Sequence, residues 1–377
     1  MNPITCIEDL RRLAQKKVPK MFFDYADSGS YSEHTYRRNM LDFDDIYLRQ
    51  RVAVNVEARS TQSRILGCAA SMPVAIAPTG LAGMQWANGE ILGAQVAEQF
   101  GVPFTLSTMS ICSIEDVARA TQKPFWFQLY VMRDRGFVRE LIQRARAARC
   151  SALMLTLDLQ ILGQRHQDIK NGLTVPPQIH LHNMLDFLRK PAWVWRALRA
   201  QKTFGNLAGY VHGKGDIVSL SEWTASQFDA SLCWDDIAWI KREWGGKLIL
   251  KGVLDVEDAR LACAAGADAI VVSNHGGRQL DGTISSIRAL PRIVDAIGDQ
   301  TEVWLDGGIR CGQSILKAQA CGAKACLIGR PFLYGLGAMG AEGVRLALEI
   351  LQRELDVSMA LTGINDLSQV GRDNLVS

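Results

Sequence analysis

The sequence lacks most of the signals that would place it quickly. It has no Cys-x-x-Cys pair, and its nine cysteines (Cys6, Cys68, Cys112, Cys150, Cys233, Cys263, Cys311, Cys321 and Cys326) are scattered and odd in number. Neither a disulfide framework nor a zinc site is expected, and a reducing cytoplasm fits best. No P-loop occurs, so ATP has no motif here, and the Gly-x-Gly-x-x-Gly run at Gly335 to Gly340 does not directly follow an apolar strand run, as a Rossmann-bound dinucleotide would need. Net charge is only +3, which leaves no electrostatic case for nucleic acid. The amino-terminal stretch carries Glu8, Asp9, Arg11, Arg12, Lys16 and Lys17 with no apolar run between them, unlike a signal peptide. The charge-free stretch from Ile65 to Gly89 is broken by Pro73 and Pro78, and its best apolar run, PVAIAP, suits a buried strand rather than a membrane span. Internal repeats and low-complexity tracts are absent.

What is present is a large core: 377 residues, 48% of them hydrophobic. Short apolar runs predict eight strands at Val74–Ala77, Phe104–Leu106, Trp126–Leu129, Leu153–Leu157, Leu248–Leu250, Ala269–Val272, Val303–Leu305 and Ala325–Ile328. They are apolar almost throughout, as parallel strands buried on both faces must be. Amphipathic segments such as ILGAQVAEQFG, FVRELIQRARAARC, DVEDARLACAAGA and GQSILKAQACGA lie between them. Alternation of this kind predicts a (β/α)₈ TIM barrel, an α/β fold, with residues 1–377 as a single domain. Residues 1–70 form an N-terminal extension, expected to be helical, and residues 159–230 form a long insert after the fourth strand.

In such barrels the chemistry sits just past the C-terminal ends of the strands. Here those positions hold Pro78-Thr79-Gly80, Ser107, Gln128-Leu129-Tyr130, Thr156-Leu157-Asp158, Lys251-Gly252, Ser273 to Arg278, Asp306 to Arg310, and Gly329-Arg330. Polar or glycine endings on every strand point to one large polar ligand and a reaction centre. Gly307, Gly308 and Gly329 open backbone N–H groups to an anion, and Arg310 and Arg330 add charge-assisted hydrogen bonds. They follow strands seven and eight, the usual phosphate site of the fold. His275 has the residue type of a general base, and Arg278 that of a carboxylate clamp. Such a pair suits proton removal from a 2-hydroxy acid. Asp158 can hold the imidazole, and Tyr130 can hydrogen-bond substrate. Lys251 places a cation in the barrel mouth, to stabilise a reduced flavin or, alternatively, to form a Schiff base. His180 and His182 form a pair without a third ligand, so no metal site is expected.

The run Ser273-Asn274-His275-Gly276-Gly277-Arg278-Gln279-Leu280-Asp281 resembles the signature of the FMN-dependent L-2-hydroxy acid oxidase and dehydrogenase family. The likeness spans about Ile7 to Leu375. Through FDYADSGS, WFQLYVMRDRGF, SNHGGRQLDG and AMGAEGVRLALEIL it is nearest to bacterial membrane-associated L-lactate dehydrogenases. The resemblance implies FMN as cofactor and an L-2-hydroxy acid, with lactate foremost, as substrate. It implies His275 as catalytic base paired with Asp158, Arg278 and Arg165 on the substrate carboxylate, and Tyr25 and Tyr130 in the substrate pocket. Lys251 would lie near the flavin pyrimidine edge. Pro78, Thr79, Gly80, Ser107, Gln128 and Thr156 would contact the ring or ribityl chain. Ser273, Asp306, Gly307, Gly308, Arg310, Gly329 and Arg330 would complete the ribityl and phosphate site. Two positions depart from or vary within the pattern: Leu159-Gln160 replace the usual Thr-Pro after the aspartate, and Met109 stands where a residue often faces the substrate side chain.

The insert bears on the electron acceptor. Between Phe187 and Gly215 lie Arg189, Lys190, Arg196, Arg199, Lys202 and Lys214 with no acidic residue, interleaved with Phe187, Trp193, Trp195 and Phe204. A basic, aromatic segment can lie in a membrane interface or form a solvated lid. The resemblance favours peripheral membrane contact at the inner face of the cell membrane and a quinone acceptor. It also implies a homo-oligomer, a tetramer in related enzymes. An oxygen-using oxidase of the same family, and a lyase built on Lys251, are the rival readings. Gly80, where oxidases often carry alanine, favours a dehydrogenase.

Overall fold

The computed structural model describes residues 3–173, 180–200, 204–207 and 227–376. Two short strands, β1 (Ser63–Ile65) and β2 (Cys68–Ala70), form an antiparallel hairpin. Eight more form the barrel: β3 (Val74–Ile76), β4 (Thr105–Ser107), β5 (Trp126–Leu129), β6 (Ala152–Thr156), β7 (Lys247–Val253), β8 (Ala269–Val272), β9 (Glu302–Asp306) and β10 (Ala325–Ile328). All eight fall where the apolar runs predict them. Each is parallel to its neighbours in the order β3-β10-β9-β8-β7-β6-β5-β4. A parallel bridge between Ile76 and Phe104 closes the ring.

Alternation along the strands divides the core in two. Ala75, Trp126, Met154, Ile249, Val271, Trp304 and Leu327 fill the barrel interior, where the rings of Trp126 and Trp304 stack 5.3 Å apart. Their neighbours, such as Val74, Phe127, Leu153, Leu250 and Ile270, point outward to the helices. The hairpin adds Ile65, Leu66 and Ala70 to the interior cluster. Leu66 accepts a hydrogen bond from Lys247 and donates to Glu302, residues at the starts of β7 and β9. The hairpin thus plugs the end of the barrel opposite the active face.

The outer helices are capped and amphipathic. Arg135–Ala147 begins where Asp134 accepts from the Phe137 N–H, and buries Phe137, Val138, Leu141, Ile142 and Ala145 along one stripe. The extension is helical only in its first part. Helices Ile7–Lys17, Lys20–Asp27 and His34–Leu41 are followed by irregular chain and the hairpin. From Asp42 to Arg51 the charged residues Asp42, Asp44, Asp45, Arg49 and Arg51 surround the apolar Phe43, Ile46 and Leu48, which pack on the core from irregular chain, and Leu48 pairs with Leu375. In the insert, described helices run His166–Lys170, Leu181–Leu188 and Pro191–Leu198. Lys202 and Lys214 lie outside the described residues.

Candidate active site

The loops after all eight barrel strands meet at one cavity of about 620 Å³, a size that holds a cofactor with a small substrate. Tyr25, Pro78, Thr79, Gly80, Tyr130, Arg165, Lys251, His275 and Arg278 line it, as do Asp306, Gly307, Gly308, Arg310, Gly329 and Arg330. Ser107, Gln128, Thr156, Asp158 and Ser273 lie just behind that lining and are buried or nearly so.

At the end of β8 the backbone turns left-handed over three residues, with φ of 59° at His275, 64° at Gly276 and 74° at Gly277. A non-glycine residue pays for this conformation, so something must hold it. Two contacts do. The His275 N–H donates to Ser273 Oγ at 3.0 Å, and the Gly277 N–H donates to Asn274 Oδ1 at 3.0 Å. Asn274 is fixed by reciprocal amide hydrogen bonds of 2.7 and 2.8 Å with Asn39, from the N-terminal extension. The turn presents His275 to the cavity with its Nδ1 2.9 Å from Asp158 Oδ1. That contact assigns the N–H to Nδ1 and leaves Nε2 as the free basic nitrogen. Burial holds the imidazole below its ordinary value, against the pull of the Asp158 charge. Asp158 itself, despite burial, is held low by His275 and Lys251.

Asp158 owes its place to a bulge in β7. The register with β8 shifts between Lys251 and Val253, leaving Gly252 at φ 103°. A Cβ there would lie 2.6 Å from Asp158 Cγ. Gln279 closes the loop from above, donating to the carbonyls of Asp158 at 2.7 Å and Ile161 at 2.8 Å.

Beside His275 stand two guanidinium groups. Arg165 Nε donates to the Arg278 carbonyl at 3.2 Å, and Arg278 Nη1 donates to the carbonyls of Tyr25 and Ser28. Arg278 also lies over the Tyr25 ring, 4.6 Å from its centre. Tyr130 packs edge-on against Phe228 at 5.7 Å, and burial pushes its hydroxyl pKa up, so it stays a neutral hydrogen-bonding group.

Ser273, which holds the His275 backbone, also links the site to Lys251. Its Nζ lies 3.0 Å from both Asp306 Oδ2 and Ser273 Oγ, and Ser273 Oγ donates to Asp306 at 2.7 Å. Burial alone would lower the ammonium pKa; Asp306 and Asp158 outweigh it and hold Lys251 above the ordinary lysine value. On the neighbouring strands Gln128 Oε1 accepts from Ser107 Oγ at 3.0 Å. Gln128 Nε2 and Thr156 Oγ1 are buried without a partner among the described residues. Gly308, at φ 82°, presses so closely on the extension that a Cβ would fall 1.9 Å from the Asn39 carbonyl oxygen. Arg310 sits over the Tyr334 ring at 5.9 Å. Arg330 is more occupied than the sequence indicates: Nη1 donates to Gly276 O and Nη2 to Ser28 O, both at 2.9 Å, which leaves the buried Nε without a partner.

These features fit FMN. The unpartnered amide of Gln128 and hydroxyl of Thr156 are donors and acceptors awaiting a polar ligand. A cation at Lys251 suits the electron-rich edge of a flavin, and the glycine turn with Arg310 suits a phosphate. Sequence reasoning missed Asn39 and Gln279 as supports, because a lone polar residue in a helix or loop carries no pattern. It also missed the apolar wall of Phe22, Met84, Phe204 and Phe228. His180 and His182 stack ring on ring at 5.5 Å, and no cluster of three metal-ligating side chains occurs among the described residues.

A closed barrel that gathers unpartnered polar atoms, a buried lysine and an aspartate-backed histidine at one cavity suits a flavin-dependent oxidoreductase. The chain belongs to the FMN-dependent dehydrogenase family, whose model matches residues 14–377, and its cofactor is FMN. It is 45% identical over 374 residues to an L-lactate dehydrogenase of Caulobacter sp. (strain K31), an alignment covering 99% of this chain and 98% of that one. Among solved structures, the monotopic membrane protein (S)-mandelate dehydrogenase superposes with a TM-score of 0.95 at 36% identity over the whole of both chains. A mandelate oxidase superposes with a TM-score of 0.84 at 33% identity, over 99% of this chain and 98% of that one.

Proposed function

We propose that the protein oxidises an L-2-hydroxy acid, with L-lactate as the leading substrate, to the 2-oxo acid, pyruvate in that case. The observation that carries this reading is His275, backed by Asp158, in one cavity with the paired guanidiniums of Arg165 and Arg278. Arg278 and Arg165 take the substrate carboxylate, and Tyr130 and Tyr25 flank it. His275 Nε2 takes a proton that the oxidation releases, and the Asp158 charge stabilises the imidazolium. Bound FMN would supply the two-electron acceptor and the destination of the second hydrogen that the oxidation removes. Lys251 would support that acceptance through its positive charge. The same pairing with Asp306 and Ser273 keeps the Lys251 amine protonated, which disfavours the Schiff-base lyase reading.

The acceptor we propose is a membrane quinone. The helices Leu181–Leu188 and Pro191–Leu198 expose Leu181, Met184, Leu185, Leu188, Trp195 and Leu198, beside the cations Arg189, Arg196 and Arg199. Large exposed apolar residues among cations suit a membrane interface. No described helix is long and apolar enough to cross a membrane. The contact we propose is peripheral, at the inner face of the cell membrane. The assembly proposed is a homo-oligomer, a tetramer as in related enzymes.

Steady-state rates test the reading. L-lactate, D-lactate, glycolate and (S)-mandelate are compared with a soluble quinone analogue and with oxygen as acceptors. L-lactate with the quinone analogue is expected to be fastest. Faster turnover of mandelate would reassign the substrate, stoichiometric peroxide would make the enzyme an oxidase, and no turnover of any hydroxy acid would overturn the reaction.

A further inference from the structure

Asp168 is a buried acid that the mechanism above does not use. It sits in the short helix His166–Lys170, three residues past Arg165, and lines the cavity. It is only 6% exposed, and its Oδ1 is buried with no hydrogen-bond partner among the described residues. Its Oδ2 lies 3.9 Å from Arg165 Nη1, close enough for attraction and too far for a hydrogen bond. Burial pushes its carboxyl above the ordinary aspartate value, and the charges of Arg278 and Arg165 oppose that rise and favour the anion; Asp24 is the nearby acid, itself engaged by Lys20 and by Asn171 at 2.8 Å. Among the described residues, neither arginine is tied to a carboxylate by a hydrogen bond. Both direct donors to backbone carbonyls instead.

We propose that Asp168 sets the net charge of the substrate-carboxylate site and thereby selects monocarboxylic over dicarboxylic acids. The inference rests on the reading of Arg165 and Arg278 as the carboxylate clamp. Two guanidiniums and one carboxylate leave a single positive charge, which one substrate carboxylate neutralises. A second carboxylate on the ligand would meet Asp168 in a buried site, where like charges repel strongly. Because Asp168 stands off from both arginines, it balances charge without consuming the N–H groups that substrate needs. It is a positioning and specificity residue: it acts through the arginines and does not take part in proton transfer.

The test is a visible-spectrum titration of the FMN-loaded holoenzyme near neutral pH with propionate, a monoanion, and malonate, a dianion. The wild type is expected to prefer propionate. Asp168→Asn should tighten malonate about tenfold more than propionate, roughly one charge interaction in a partly buried site, and Asp168→Glu should restore the wild-type preference. A structural role would weaken both ligands alike in Asp168→Asn. An unchanged ratio, or parallel weakening, would overturn the proposal. Should Asp168→Asn fail to hold flavin, Asp168→Ser repeats the charge loss with a smaller side chain, and failure of both would make Asp168 structural and contradict it. If the wild type binds neither anion, the clamp reading itself falls, a result distinct from an unchanged ratio.

Discussion

His275 Nδ1 and Asp158 Oδ1 are 2.9 Å apart, and the whole active face is arranged to keep them so. The consequence for pH is definite. A base works only when deprotonated, and burial holds this imidazole below the ordinary histidine value of 6.5. Flavin reduction is therefore expected to stay at its plateau down through that pH and to fall only below it. Asp158 opposes the effect of burial, so Asp158→Asn should move the acid limb lower still. The plateau should drop by about 10²–10⁴-fold, as orientation and charge support are lost. A limb that moves to higher pH would contradict the pairing.

Gly252 carries a second prediction. Its left-handed bulge gives Asp158 room, and a Cβ would lie within 2.7 Å of Asp158 Cβ. Gly252→Ala should cost about 1–3 kcal/mol of stability from strain alone and slow flavin reduction by displacing Asp158. Thermal unfolding and single-turnover reduction read the two effects separately. A variant with normal reduction would mean that the carboxylate is held by other contacts.

Lys251 and Asp306 form a buried pair at 3.0 Å. Lys251→Met leaves Asp306 uncompensated, so stability should fall by about 3–5 kcal/mol, with weaker retention of FMN. Adding Asp306→Asn should recover much of the stability without restoring flavin reduction. Melting curves and FMN release by ultrafiltration measure both. Recovery of catalysis in the double variant would remove Lys251 from the flavin chemistry.

The exposed leucines of the insert make a surface prediction. Leu181 is 73% and Leu188 77% exposed on the helix Leu181–Leu188. Leu181→Ser with Leu188→Ser should reduce cosedimentation with anionic phospholipid vesicles severalfold while leaving the flavin spectrum unchanged. Binding that is unaffected would locate any membrane contact elsewhere.

Much of this arrangement is legible in the residues because buried parallel strands have a distinctive apolar signature and catalytic groups follow them at fixed places. Thus β6 and β8 are visible as ALMLT and AIVV, and the polar residues after them mark the face where Asp158 and His275 meet. The contacts that hold those residues are harder to read. Asn39 reaches Asn274 across 235 positions of sequence, and nothing near either residue announces the pairing. Arg330 reads as a phosphate ligand by position, yet two of its nitrogens tie Gly276 to Ser28. Position along a strand fixes where a side chain starts; which partner it chooses depends on loops that come from elsewhere in the chain. The extension is the clearest case, since its helices stop at Leu41 and irregular chain then leads into the hairpin plug.

The most direct test of the central claim is an anaerobic visible spectrum of the FMN-loaded protein before and after L-lactate, alongside His275→Gln. The wild-type flavin band should bleach rapidly, and the variant should keep its yellow FMN unbleached. A wild-type band that persists with L-lactate and with other L-2-hydroxy acids, or a variant that bleaches at a near-normal rate, would contradict the account.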